Sequence, residues 1–207
     1  MDVALISPTK LLETTARSNG CFVLSHRMLN DKDYARWICE NAYRFKWVLV
    51  DNDAYEFINP TPFSVVMHFA RMIDHPKTYV VLPDVLRNAT LTIRLIKKVI
   101  GTLDSRFQYC AVVQGRTFES ARQCLDDLMK LECVDMIAIP THMYRRFNKF
   151  ARIQLAKMVE GKSVHFLGLD DPREIANARN IVRSVDTSLP YTLAWHWKKV
   201  QMRRLHL

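Results

Sequence analysis

Eight short apolar runs, separated by stretches of helical periodicity, set the strongest limit on what this chain can fold into. The runs are Val3–Ser7, Cys21–Ser25, Trp47–Asp51, Tyr79–Pro83, Tyr109–Gln114, Met136–Pro140, Val164–Leu169 and Ser184–Thr187. Most are apolar without alternation, the pattern of strands covered on both faces. Helical patterns lie between them, at Asp31–Phe45, Pro62–Ile73, Asn88–Ile100, Thr117–Leu131, Asn148–Val159 and Pro172–Val182, with a last one over 192–205. Asp171-Pro172-Arg173-Glu174 reads as a helix start, with a capping Asp, Pro in the first position and an acid in the first turn. Asp170 reads as a second capping residue. Parallel strands need crossovers of this length, and eight such units predict a compact (β/α)8 barrel in one domain, residues 1–207. A doubly wound open sheet is the alternative.

The chain has 30 Lys and Arg against 21 Asp and Glu, a formal charge of +9. That predicts a polyanionic partner, nucleic acid before membrane. No apolar run approaches the roughly 20 residues that span a bilayer. MDVALISPTK lacks the basic start and long apolar stretch of a signal peptide, so a cytoplasmic protein is expected. The five cysteines are scattered, with no CxxC pair, and read as reduced thiols, so a structural zinc site is not expected. Neither GxGxxG nor GxxxxGK[ST] occurs, so there is no phosphate-loop signal.

In such a barrel the C-terminal strand ends face the active site. Here those ends carry His26, Asp51 with Asn52 and Asp53, Asp84, Gln114 with Gly115, and Asp186; His142 follows the sixth run. Each has a plainer reading as a turn former, cap or structural residue. The segment RSVDTSLPY, 183–191, reads as a buried strand that delivers Asp186 into a pocket and turns at Leu189-Pro190. At that point Asp186 is a candidate nucleophile, base, metal ligand or turn former. Taken together the set is more specific. Paired carboxylates push each other's pKa apart, which lets one stay ionised while the other manages protons. A third Asp and a Gln suit the edge of a purine, and a following Gly permits close approach to the backbone. Chemistry at a glycosidic carbon fits this inventory.

The order of motifs resembles the tRNA-guanine transglycosylase family. The matching stretches are LVDNDAYE (49–56), VLPDV (81–85), AVVQGRTFESAR (111–122), IAIP (137–140), HFLGLDDPREI (165–175) and SVDTSLP (184–190). The resemblance implies that Asp186 attacks the anomeric carbon and that Asp51 is the general acid and base, with Asp53 its rival. It implies that Asp84, Gln114 and Gly115 bind the base. The family's zinc ligands are missing, since no Cys follows Asp186, and Pro140-Thr141-His142 stand where the family has paired glycines. A short, zinc-free barrel is most similar to the viral DpdA-type relatives. That implies exchange of guanine in DNA for a free 7-deazaguanine base such as preQ0, in a host cytoplasm if the chain is viral. The resemblance also implies that no metal and no organic cofactor is needed. The alternatives are a tRNA substrate, a non-catalytic nucleic-acid-binding accessory subunit, and a small nucleoside hydrolase or deoxyribosyltransferase.

Two basic stretches are expected to hold the nucleic acid. MYRRFNKFAR (143–152) offers Arg145, Arg146, Lys149 and Arg152 among aromatics, and the C-terminal stretch offers Lys198 and Lys199 beside Trp195 and Trp197. His26 and His142 are further candidates for phosphate contact or proton transfer.

Overall fold

A computed structural model describes residues 1–57, 59–148, 150–169 and 171–192. Eight parallel strands close into one barrel in sequence order: β1 (Asp2–Leu5), β2 (Gly20–Leu24), β3 (Trp47–Asp51), β4 (Thr78–Val81), β5 (Gln108–Val112), β6 (Met136–Pro140), β7 (Ser163–Leu167) and β8 (Ser184–Thr187). The ring closes through β1 and β8, which pair from Asp2 with Ser184 to Leu5 with Thr187. The helices between strands are α1 (Leu12–Thr15), α2 (Ser25–Asn30), α3 (Lys32–Asn41), α4 (Phe63–Ile73), α5 (Ala89–Val99), α6 (Phe118–Met129), α7 (Thr141–Arg146), α8 (Ala151–Lys157) and α9 (Pro172–Ala178).

Side chains alternate across each strand, so the apolar runs serve two cores. Val48 and Val50 of β3, Val80 of β4 and Ile137 and Ile139 of β6 point outward and pack beneath the helices. Trp47, Leu49, Tyr79, Val81, Cys110, Val112, Met136 and Ala138 point inward and fill the barrel with Phe22 and Leu24. Gly20 is needed for this filling. A Cβ there would lie 2.1 Å from the Trp47 ring, so only glycine lets the indole cross the barrel floor. The lower barrel is thus filled, and a cavity lies at the C-terminal mouth.

Helix ends follow local chemistry. Asp31 caps α3 by accepting the Tyr34 N–H, and Asn88 caps α5 by accepting that of Leu91. Thr117 and Ser120 form a reciprocal capping box on α6, and Asp171 caps α9 with Pro172 in its first turn. Several residues expected inside helices, Asp31 and Asn88 among them, are therefore caps. Two further helices, α2 and α7, follow their strands directly. Pro190 does not make a turn: the backbone over 189–192 is helical, with the Tyr191 and Thr192 N–H groups donating to Ser188 O. The helix expected over 192–205 falls almost wholly outside the described residues, as does Asp170. Among the described residues no helix is long and apolar enough to cross a membrane.

Candidate active site

A cavity of about 230 Å³ opens at the barrel mouth. A cavity of about 150 Å³ holds a benzene ring, so this one suits a single bicyclic base better than a whole nucleotide. Ile6, Phe22, Val112 and Leu167 line it with apolar surface, and Asp51, Glu56, Asp84, Gln114, His142 and Asp186 supply its polar groups.

Asp186 comes from the end of β8 and is buried. Its hydrogen-bond partners are donors, while the Glu56 carboxylate across the cavity is near enough to feel its charge. The His165 Nε2 lies 3.0 Å from Oδ1, and the Gly168 N–H reaches Oδ1 and Oδ2 at 3.0 and 3.1 Å. Gly168 has φ +69°, a conformation that glycine adopts without steric cost. That turn after β7 aims its N–H at the carboxylate.

Asp51 ends β3 on another wall of the cavity. Burial raises its pKa well above the usual carboxylate range, and the carboxylates of Glu56, Asp53 and Asp84 raise it further. A single backbone donor, the Asp53 N–H at 3.0 Å, opposes them. Asp53 itself is turned away. Its φ of +61° is one that Asp tolerates, and its oxygens accept from the His26 N–H (2.6 Å), the His26 Nδ1 (2.8 Å) and the Thr61 hydroxyl (2.7 Å). It anchors the start of α2 and does not line the cavity. Of the two rival acids, Asp51 therefore faces the site. His26 is held by this contact and stands edge-on to Phe57 at 5.2 Å.

Asp84 lies between two amides. It accepts from Asn52 Nδ2 at 2.7 Å and from Gln114 Nε2 at 2.6 Å, while Gln114 Oε1 accepts the Arg87 N–H at 2.7 Å. These bonds fix which way both amides point. Burial lifts the Asp84 pKa to about 6, against the lowering effect of the two amides. Gly115 does not line the cavity. A Cβ on it would lie 2.5 Å from the backbone nitrogen of Ala121, so its place is explained by close packing of α6 rather than by approach of a ligand.

Sequence reasoning passed over Glu56, His165 and Gly168, and placed Asn52 at a strand end without giving it a role. Glu56 is exposed as a residue, yet its carboxyl group lines the cavity and is desolvated, which raises its pKa. It stands in a loop beyond the strand end, where no periodicity marks it. His165 had a legible signal: it is a polar residue inside the apolar run VHFLGL, two positions before Leu167 and so on the same inward face. One oxygen each from Asp51, Asp53 and Glu56 lies within 4.8 Å of the others, a spacing that a divalent cation could use. Asp53 would have to surrender hydrogen bonds to take part.

The basic surface needs a correction. Arg152 is fully buried and does not face nucleic acid. It pairs with Glu174 at 3.0 Å, donates to the carbonyls of Leu167 (3.1 Å) and Gly168 (3.3 Å), and lies over the Phe166 ring. Arg145 and Arg146 close α7, but their side chains lie outside what the structure describes. Lys149, Lys198 and Lys199 also lie outside the described residues.

No protein-family model and no curated protein matches this sequence.

Proposed function

We propose that this protein is a base-exchange transglycosylase that replaces guanine in DNA with a free 7-deazaguanine base of the preQ0 type. The observation that carries the reading is the meeting of two differently surrounded carboxylates, Asp186 and Asp51, in one base-sized cavity beside the ordered Asn52–Asp84–Gln114 chain. A barrel alone would carry no such claim, since that fold serves many chemistries.

The Asp186 carboxylate attacks C1′ of the target nucleotide. The glycosidic C1′–N9 bond breaks, and guanine leaves with a proton from Asp51, whose raised pKa keeps the acid form available. A covalent aspartyl-sugar ester remains. The incoming deazaguanine gives its N9 proton to the Asp51 carboxylate and attacks C1′, and the ester bond to Asp186 breaks. Atoms and protons balance, and no redox partner is needed. Asp84 and Gln114 present an acceptor and a donor to the polar edge of the base. The target base must leave the stack to enter a cavity of this size, and the charge of +9 favours a polyanionic substrate.

The test uses DNA carrying labelled guanine and, separately, labelled tRNA, each with free preQ0. Release of label from DNA by the parent, and none by Asp186→Ala, is the expected result. Release from tRNA alone would move the activity to RNA. Salt-sensitive binding without release from either would overturn the enzymatic reading in favour of an accessory binding role.

A further inference from the structure

Beneath Asp186 the barrel holds a buried chain of three side chains that base recognition does not use. Ser184 and Asp186 stand two residues apart on β8 and so share its inward face. His165 pairs in register with Ser184 from the neighbouring strand. Its Nδ1 lies 2.8 Å from Ser184 Oγ and its Nε2 lies 3.0 Å from Asp186 Oδ1. The ring has no exposed surface, stacks on Phe22 with centroids 6.3 Å apart and meets Trp47 edge-on at 5.9 Å. It cannot swing away without disturbing the barrel filling.

A carboxylate only accepts, so in the neutral ring Nε2 carries the hydrogen and Nδ1 accepts from the Ser184 hydroxyl. Asp186 therefore selects the tautomer, and the Ser184 hydroxyl, which can donate or accept, supports it by donating to Nδ1. Oδ1 takes both the His165 donor and the shorter Gly168 contact, which leaves Oδ2 the freer oxygen to form a bond.

We propose that His165 is a positioning residue whose main effect falls on the second displacement, the expulsion of Asp186 from its ester. The inference rests on the reading of Asp186 as nucleophile. In the free enzyme His165 holds the carboxylate with Oδ2 toward the cavity. In the ester, Oδ2 is bonded to C1′ and Oδ1 is a neutral carbonyl oxygen, a weaker acceptor than a carboxylate. When the incoming base attacks C1′, the electron pair of the breaking C1′–Oδ2 bond returns to the carboxylate. The His165 N–H then regains its charge-assisted bond. The same bond stabilises the resting carboxylate, so its loss favours the ester over the free enzyme.

His165→Phe keeps a planar ring against Phe22 and Trp47 and removes the donor. His165→Gln restores an N–H donor. Each is mixed with labelled DNA and saturating preQ0, and two quantities are read: the exchange rate, and the fraction of enzyme carried as covalent adduct on a denaturing gel. In His165→Phe the adduct-to-free-enzyme ratio should rise about tenfold or more, the effect of one charge-assisted hydrogen bond, while exchange slows. His165→Gln should return both toward the parent. An unchanged adduct fraction, or adduct and exchange falling together, would overturn the inference while leaving the transglycosylase reading intact. A parent that forms neither adduct nor exchange product would overturn both. A spectroscopic readout needs no turnover. The ¹⁵N signals of the His165 ring should report the Nε2–H tautomer in the parent and move in Asp186→Ala. Any other tautomer in the parent would overturn the proposed geometry, and thermal melts of each variant separate these effects from loss of fold.

Discussion

On the β8 side of the cavity Asp186 meets donors, the His165 ring and the Gly168 N–H, both fixed from β7 and the turn after it. On the β3 side Asp51 meets one backbone donor and three carboxylates. The same side chain, at the same kind of position at a strand end, is thus placed in two surroundings by what the neighbouring loops contribute. A carboxylate held by donors is oriented for attack. One crowded by burial and like charge has its pKa raised, which is the environment that proton donation calls for. The proposed division of labour between nucleophile and acid would thus lie in the loops after β3 and β7, not in the two aspartates themselves.

The comparison breaks most sharply if the two carboxylates prove interchangeable. Asp186→Ala removes the only group assigned to form the covalent bond, and exchange should fall by at least about 10⁴-fold, read as guanine release. Asp51→Asn leaves bond formation possible but removes proton transfer. Exchange should fall by about 10²- to 10⁴-fold, while the adduct remains detectable under single turnover. Equal losses of adduct in both variants would erase the distinction.

Next in size is the support behind Gly168. Arg152→Met leaves the Glu174 carboxylate buried without its cation, and should cost about 3–5 kcal/mol in urea unfolding. The double variant with Glu174→Gln should recover part of that loss. Arg152 also grips the Leu167 and Gly168 carbonyls, so the single variant should weaken the Asp186 side of the site and leave the Asp51 side alone.

A smaller effect is the pH dependence set by Asp84. Its pKa is about 6 when folded, against an ordinary value of 3.8. Between these values the folded state binds more protons than the unfolded one. The contribution to stability is fully present below the ordinary value and is lost as pH rises through about 6, roughly 3 kcal/mol in all. Unfolding measured from pH 4 to 7 should show Asp84→Asn gaining stability relative to the parent as pH rises; parallel curves would contradict this. The smallest effect is that of Glu56→Gln. It removes the foremost charge raising the Asp51 pKa, so the limb of the pH–exchange profile that reports Asp51 should move to lower pH, by less than about one unit.

Much of this was legible in the sequence because the strands are short, apolar and regularly spaced. WVLVD, MIAIP and SVDT begin and end in the structure where their composition places them. The β1 and β2 runs begin one residue earlier than read, because Asp2 and Gly20 carry no apolar signal yet take ladder positions. The six-residue helices α2 and α7 span less than two turns and give no periodicity to detect. Asp51, Asp84, Gln114 and Asp186 were visible because strand ends face the mouth. The choice of Asp51 over Asp53 was not, since it depends on a positive φ and on a partner 27 residues away at His26. Arg152 was misread for a similar reason. Its neighbours in sequence are basic and aromatic, but its partner Glu174 lies 22 residues on, and burial of the pair follows from tertiary packing alone.

The central claim is that Asp186 becomes covalently bonded to the sugar. The most direct measurement is to quench the protein with guanine-containing DNA before the incoming base is added, digest it, and locate the modified peptide by mass spectrometry. The account predicts a sugar adduct on the 184–187 peptide at Asp186, lost again when preQ0 is supplied. An adduct on another residue, or full exchange by Asp186→Ala with no adduct, would contradict it.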